Sequence, residues 1–447
     1  MRTFDILIVG AGTAGSAAAW HFARRGLRTA LLDARPFSEA GARWVNYLPG
    51  WMFDAAALPR PEAPELHSPQ APMTVLVGGV RTTVPENPCL AVDMRALGQR
   101  LHGLGLSAGV TPFERVHVLR VGCTAGRPVE LETDAGLLRA ALFIDASGLN
   151  GVLRRQVPRL ATDCPTVDRA HLCSAAQEVR SVRDPVAAAA WQAHHRLAPD
   201  EILSQPGVAG GYSVSNLSVG AGLRQVELLT GCMVGEGYSG LALIDRAVRE
   251  HPWIGPRIFG GSGVIPLRRP YDRLSAPGIA LLGNAACQVF PAHGSGVGMG
   301  LVAARMLAEA MATGDDPGDE TRLWAWQAEF HHRYGATLAA YDLFRRLTQS
   351  LGAADFARLL AAGVVNARQM EFALRQVLPE IGPVEASGFL RVLGAYPKLA
   401  AHAARSLAGV PGLIALYRNH PARPSPRALR LWSRAVATLC GERPDVA

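Results

Sequence analysis

Phe4-Asp5-Ile6-Leu7-Ile8-Val9-Gly10-Ala11-Gly12-Thr13-Ala14-Gly15 is the stretch that decides the fold. Residues 4–9 read as a short buried strand. A G-x-G-x-x-G run follows at once. An alanine-rich helix then extends from about Ser16 to Arg25, and a second strand, Arg28–Leu32, ends on Asp33. Strand, glycine turn, helix, strand and acid together form the dinucleotide-binding fingerprint in its required context. Gly10 allows the turn out of the strand, Gly12 lets backbone approach a pyrophosphate, and Gly15 lets the helix pack on the strand. The helix N-terminus offers free N–H groups and partial positive charge to phosphate. Asp33 is placed to accept from a ribose hydroxyl. A bare G-x-G-x-x-G would read as a glycine-rich turn in an ordinary βαβ unit; here the strand, helix and acid are all present.

Working outward, the 447 residues suit two or three domains, and a hydrophobic fraction of 49% supplies a sizeable core. No apolar run reads as long enough to span a membrane. The apolar N-terminus serves the fingerprint and carries no cleavage signature, so it does not read as a signal peptide. Seven scattered cysteines show no metal-ligand or C-x-x-C spacing. They read as reduced and cytoplasmic, with no metal site. The net charge is +8, and Lys398 is the only lysine. A solvated surface is the plain reading of that charge, and attraction to anionic substrates, a membrane or a carrier protein the sharper one. No basic tract interleaved with aromatics appears, which excludes a nucleic-acid partner.

After Asp33, residues 34–50 read as a polar, aromatic-rich loop. In it Arg35 lies near an adenosine and Arg43 within reach of the pyrophosphate. Residues 73–77 and 80–84 form a hairpin signal across Gly78-Gly79. A helix is expected to open on Ala91-Val92-Asp93-Met94-Arg95. Further strands are expected near 115–121 and 129–133. Leu142–Gly148 makes a second buried strand and turn. From about 166 the pattern changes to alternating strands at 172–182, 211–219 and 225–231, with helices near 184–197 and 239–250. Ile279–Ala286 is a third buried strand, followed by the glycine-rich run 290–300 and a helix to about Met311. Residues 320–440 read as helical, and amphipathic pieces such as 407–418 suit either packing on the body or contact with a lipid surface.

With these three elements, the chain resembles the FAD-dependent oxidoreductases of the para-hydroxybenzoate hydroxylase fold. The likeness covers roughly residues 4–311. Within that superfamily it looks nearest to the geranylgeranyl reductase-like and flavin monooxygenase branch, on 174–182, 210–213, 263–267 and 283–300. The resemblance implies an α/β fold: a Rossmann-type FAD-binding domain (1–70, 91–165 and 268–325), an inserted, mainly antiparallel α+β substrate domain (71–90 and 166–267), and a C-terminal helical region (326–447). It implies FAD contacts from Gly10, Gly12, Thr13, Ala14 and Gly15, and from Asp33, Arg35, Arg43 and Val116. Arg95 would face the flavin phosphate and ribityl region. Asp145 and Gly148 match the second motif, and Gly283-Asn284 the third. Pro291, Gly294, Ser295, Gly296 and Val297 would line the isoalloxazine ring. Asn284 stands where the family has an acid. The loop 43–50 lacks the Cys-Gly pair that those reductases often carry.

The function this supports is flavin redox chemistry on a hydrophobic small molecule in biosynthesis, by monooxygenation or by hydride transfer to or from carbon. NAD(P)H or a flavin reductase would supply electrons. His293 is the candidate acid or base, on the expectation that it titrates in the working range, with a loop-shaping role as the alternative. Other readings are a non-redox cyclase or isomerase, a geranylgeranyl reductase-like alkene reductase, and a flavin-binding partner without catalysis. A halogenase is disfavoured, because the sole lysine lies far along the chain and the Trp-x-Trp-x-Ile-Pro signature is missing.

Overall fold

The computed structural model describes residues 2–235, 237–311, 314 and 316–446. Its first sheet has eight strands. The central part runs Ile279–Leu281, Gly136–Asp145, Arg2–Val9, Thr29–Asp33 and Thr111–Glu114, all parallel. Ile6, Leu7, Ile8, Leu142, Phe143 and Ile144 are fully buried, as strands covered on both faces require. The pairing aligns Val9 with Leu32 and Asp145, and Asp145 with Leu281. The three glycine-bearing turns therefore leave the sheet from one carboxyl edge, where open α/β sheets place their ligands.

The second sheet has seven strands in the order 254–266, 172–182, 225–233, 213–219, 202–206, 73–77 and 80–84. It is antiparallel except where Ile202–Pro206 runs alongside Met73–Val77. The hairpin at 73–84 thus forms one edge of it. A three-stranded sheet of Val45–Pro49, Cys89–Asp93 and Leu66–Ser68 bridges the two larger ones. The Val45 N–H donates to Gln177 Oε1 at 3.0 Å across that junction.

Several boundaries differ from the sequence reading. Residues 91–93 belong to a strand, and the helix begins at Met94 because the Asp93 carboxylate caps it by accepting from the Arg95 N–H. The loop 34–50 contains the strand Val45–Pro49. Ile202–Pro206 and the 13-residue strand Ile254–Pro266 were not expected. The latter is rich in glycine, and Gly261 and Gly263 leave the space that the Trp44 indole fills; a Cβ on Gly261 would lie 2.9 Å from that ring.

From Glu320 to Cys440 the chain is helical. A buried ionic network ties this region to the segment after residue 266. Arg268 pairs with Asp445 at 2.7 Å. Arg269 bonds Asp272 and Glu442, while Arg346 bridges Asp342 and Glu442. One helical stretch, Pro397–Arg418, has the length and mean hydropathy (1.3) of a membrane span, and 28% of its apolar window is buried. The sequence reading found no such run. The stretch is divided into Pro397–Leu407 and Val410–Arg418, and Leu413 and Tyr417 are fully buried.

Candidate active site

The glycine turns converge. A Cβ on Gly15 would collide with the Gly10 carbonyl oxygen, so only glycine lets the first helix (Thr13–Ala23) start so close to the strand. That helix has no side-chain cap at Gly12 and no acid in its first turn, so its N-terminal N–H groups are open to an anion. Cβ positions built on Gly283 and Gly300 would lie 3.2 and 3.0 Å from the Ala14 Cβ. The opening turn, the third motif and the helix Val297–Met311 therefore meet at one point. The 40–43 loop closes over Gly12, with the Gly41 Cβ position 3.2 Å from the Gly12 Cα.

Asp33 ends its strand as expected, and it accepts from the N–H groups of Ala11 and Arg35, both at 2.9 Å. Each oxygen keeps a further lone pair. Val116 lies beside it, donating its N–H to the Asp33 carbonyl at 3.0 Å. Arg35 is half exposed and 3.5 Å from Asp33, while the exposed Arg43 folds back onto the Ser38 carbonyl.

Two further candidates, Arg95 and Asp145, are held by groups of the protein itself. The Arg95 guanidinium is held by Asp93 at 2.6 Å and lies 3.5 Å over the Phe259 ring, at the junction with the second sheet. Helix 94–107 instead reaches the fingerprint turn through His102, whose Nε2 lies 3.0 Å from the Ala11 carbonyl oxygen. Asp145 is fully buried. Its oxygens accept from the Ser147 N–H and hydroxyl and from the Leu153 and Arg154 N–H groups. With four internal donors it shapes the 146–154 turn, which carries Gly148 at a φ of +73°.

At the third motif, the Gly283 N–H donates to Gln288 Oε1 at 2.8 Å. Gln288 is fully buried and its Nε2 has no partner, a polar atom left free beside the convergence point. Asn284 Oδ1 lies 3.2 Å from the Gly296 Cβ position, so the amide faces the 290–297 loop. That loop is pinned by the Gly294 N–H on the Phe290 carbonyl (2.9 Å) and by the Ser295 hydroxyl on the Tyr47 carbonyl (3.1 Å). The Tyr212 hydroxyl donates to the Ala292 carbonyl at 3.0 Å from the second sheet. Pro291, in the same loop, is buried.

Residues 292–295 line part of a cavity of about 870 Å³. Its walls come from the second sheet and from the C-terminal helices, with side chains such as Leu229, Ile265, Phe344, Leu347, Phe389 and Leu407. His293 borders this cavity and packs on Phe290, ring centroids 4.7 Å apart. Burial lowers its pKa to about 4, only partly opposed by backbone hydrogen bonding at Ala373. The apolar surroundings thus favour the neutral ring, although the side chain is exposed at the cavity.

The sequence reading gave no role to a hydrogen-bonded set on the cavity wall. The Tyr47 hydroxyl donates to Glu227 Oε2 at 2.6 Å, and His67 Nε2 lies 3.4 Å from the other oxygen. Tyr47 and Glu227 both line the cavity. Burial, reinforced by the Glu227 charge, raises the phenol well above its ordinary pKa, so it holds its proton. Cys89, also on the wall, is pushed up by burial to about 12 and stays a thiol. Gln177 Nε2 and Asn216 Oδ1 are further lining atoms without partners. Tyr47 and Glu227 are 180 residues apart, and no spacing in the sequence signals the pair.

The sequence profile described as FAD dependent oxidoreductase matches residues 5–75. Digeranylgeranylglycerophospholipid reductase of Sulfolobus acidocaldarius is 24% identical over 383 residues, 79% of each chain. Digeranylgeranylglycerophospholipid reductase 1 of Methanopyrus kandleri is 27% identical over 369 residues, 74% of this chain and 88% of that one. The crystal structure of a geranylgeranyl bacteriochlorophyll reductase-like protein from Thermoplasma acidophilum superposes with a TM-score of 0.71 at 17% identity. It spans 92% of this chain and 100% of that one. The chain is an FAD-dependent oxidoreductase that resembles the geranylgeranyl reductases.

Proposed function

We propose that this protein reduces carbon–carbon double bonds in a long, apolar, isoprenoid-type chain, as the names of its relatives suggest. The observation that carries the reading is the cavity. Its lining is mostly apolar, and among its polar side chains Tyr47, paired with Glu227, stands next to the 292–295 loop, where the Ser295 hydroxyl donates to the Tyr47 carbonyl. A lipid chain fits such a space better than a sugar or an amino acid, whose polar groups would be buried without partners.

FAD fits the convergent turns. The open N–H groups at Thr13 and Ala14 would hold the pyrophosphate, and Asp33 with Val116 the adenosine. Asn284 and the free Gln288 amide would meet the ribityl chain, and Pro291 and Gly294–Val297 the ring. Bound and reduced, FAD would supply the hydride for an alkene carbon. Tyr47 would hold the proton for the neighbouring carbon, and Glu227 and His67 would pass one to the phenol from water. The substrate thus gains two hydrogens, and the electron pair comes from NAD(P)H or a reductase partner. The second sheet and the C-terminal helices serve as the substrate-holding part. Neutral His293 shapes the loop.

The test is an anaerobic incubation of FAD-loaded protein, chemical reductant and a polyprenyl lipid. A product heavier by two hydrogens per reduced bond supports the proposal. A product that appears only with oxygen and carries an added oxygen atom overturns it.

A further inference from the structure

We infer that the C-terminal helices seat this protein on an anionic lipid bilayer, with the cavity mouth facing the membrane. The inference deepens the proposal above and rests on its reading of the cavity as the substrate site. It starts from where the cavity opens. Pro379, Ile381, Ala404 and Pro411 line the cavity and are at the same time exposed, as are His293 on the 292–295 loop and Gly352 and Ala353, so one opening lies among the C-terminal segments. Ile381, on that rim, is 73% exposed.

The surface leading away from the rim is apolar. The helix Pro383–Ala395 exposes Val384, Leu390 (66%) and Leu393 (46%), and Tyr396 follows directly. Large aliphatic side chains exposed in this number on one helix mark an interaction surface. The same region is strongly basic. Residues 386–441 contain no aspartate or glutamate and eight arginines and lysines. Lys398, Arg405 and Arg418 are exposed, and among the described residues none has an acidic partner within 4.0 Å.

Exposed aliphatic residues interleaved with unpaired cations are the pattern of a helix lying in a membrane interface, the chains entering the acyl boundary and the cations meeting anionic headgroups. A second copy of this chain would bring like charge against like. An acidic carrier protein would answer the cations but leave the aliphatic side chains without hydrocarbon to enter. Pro397–Arg418 lies on the surface of the body rather than crossing the bilayer, because Leu399, Ala400, Leu413 and Tyr417 anchor it to the interior. An isoprenoid chain would then pass from the bilayer through the rim at Ile381 into the cavity without crossing water.

The test is co-sedimentation of the full-length, FAD-loaded protein with vesicles of phosphatidylcholine alone and with vesicles containing phosphatidylglycerol. The expected result is binding to the mixed vesicles that weakens with added salt. Reversing three charges, Lys398→Glu, Arg405→Glu and Arg418→Glu, should weaken that binding on the order of 100-fold. Leu390→Asp with Leu393→Asp should weaken it at least about 10-fold, while turnover of a detergent-dispersed substrate stays at the wild-type rate. All five positions are exposed, so melting temperature and flavin absorbance report intact folding in each variant. Equal binding by wild type and variants, or no sedimentation with mixed vesicles, overturns the inference. Capture of a purified acidic acyl carrier protein without vesicle binding overturns it in favour of a protein partner. Vesicle binding without alkene reduction would instead count against the functional reading alone.

Discussion

Replacing Tyr47 with phenylalanine separates a structural from a chemical role. The substitution removes the hydroxyl that donates to Glu227 at 2.6 Å and little else. Glu227 would keep His67 at 3.4 Å and its side chain is 14% exposed, so it retains one partner and some water. A hydrogen bond to a charged group in such a setting is worth about 1.5 kcal/mol of stability. Loss of a general acid costs about 10²- to 10⁴-fold in rate, which corresponds to roughly 3–5 kcal/mol of barrier. The variant should therefore fold, bind FAD and accept electrons normally, yet transfer hydrogen to substrate at least 100-fold more slowly. Anaerobic stopped-flow reoxidation of the reduced protein by substrate reads that step directly, and substrate affinity should change little. Glu227→Gln should lower the phenol pKa by removing the neighbouring charge, and so move the alkaline limb of the rate profile to lower pH. Reoxidation of the Tyr47→Phe protein at the wild-type rate would refute the assignment of the proton to this phenol.

Asn284→Asp would place a carboxylate against the 290–297 loop, and the flavin potential should fall by some tens of millivolts, read by equilibration with a reference dye. An unchanged or raised potential would remove Asn284 from the flavin's surroundings. Glu442→Gln leaves the buried Arg269 and the nearby Arg346 each short of a partner. It should cost about 3 kcal/mol, seen as a lower urea midpoint, and an unshifted midpoint would contradict the anchoring role of this network. Burial pushes Asp342 and Glu442 up, but the Arg346, Arg345 and Arg269 charges more than offset this and hold both below the usual carboxylate range. Their stabilisation is present above about pH 4.5 and is lost as pH falls through the folded values, because the unfolded chain then binds more protons. Urea midpoints from about pH 6 down to pH 3 should fall accordingly, and the fall should be shallower in Glu442→Gln. The apolar surroundings of His293 lower its pKa to about 4 and so favour the neutral ring through the working range. His293→Gln should leave the shape of the pH–rate profile between about pH 5 and 8 unchanged, and loss of an ionisation in that window would contradict this.

What the sequence made legible follows the range of the interactions involved. The turn at 10–15, Asp33 and the 283–300 block are local signals, since strand, glycine and helix lie within thirty residues of one another. Their convergence at Ala14 follows from parallel pairing, which the three buried strands already imply. The strand at 254–266 was not legible because its glycines read as loop, and their purpose, room for the Trp44 indole, is set by a residue some two hundred positions away. Asp145 matched a motif, but its four hydrogen bonds come from its own turn and show it holding that turn. Arg95 lies on Phe259 for the same kind of reason: the contact exists only once two sheets meet. The Tyr47–Glu227–His67 set and the cavity are products of tertiary packing among three parts of the chain, which no single window of sequence contains.

The most direct test is a single reconstitution without oxygen. FAD-loaded protein is reduced to completion, a polyprenyl lipid is added, and flavin oxidation is titrated against the mass of the product. The account predicts one flavin oxidised for each pair of hydrogens gained. A flavin that stays reduced, or a product of unchanged mass, would contradict it.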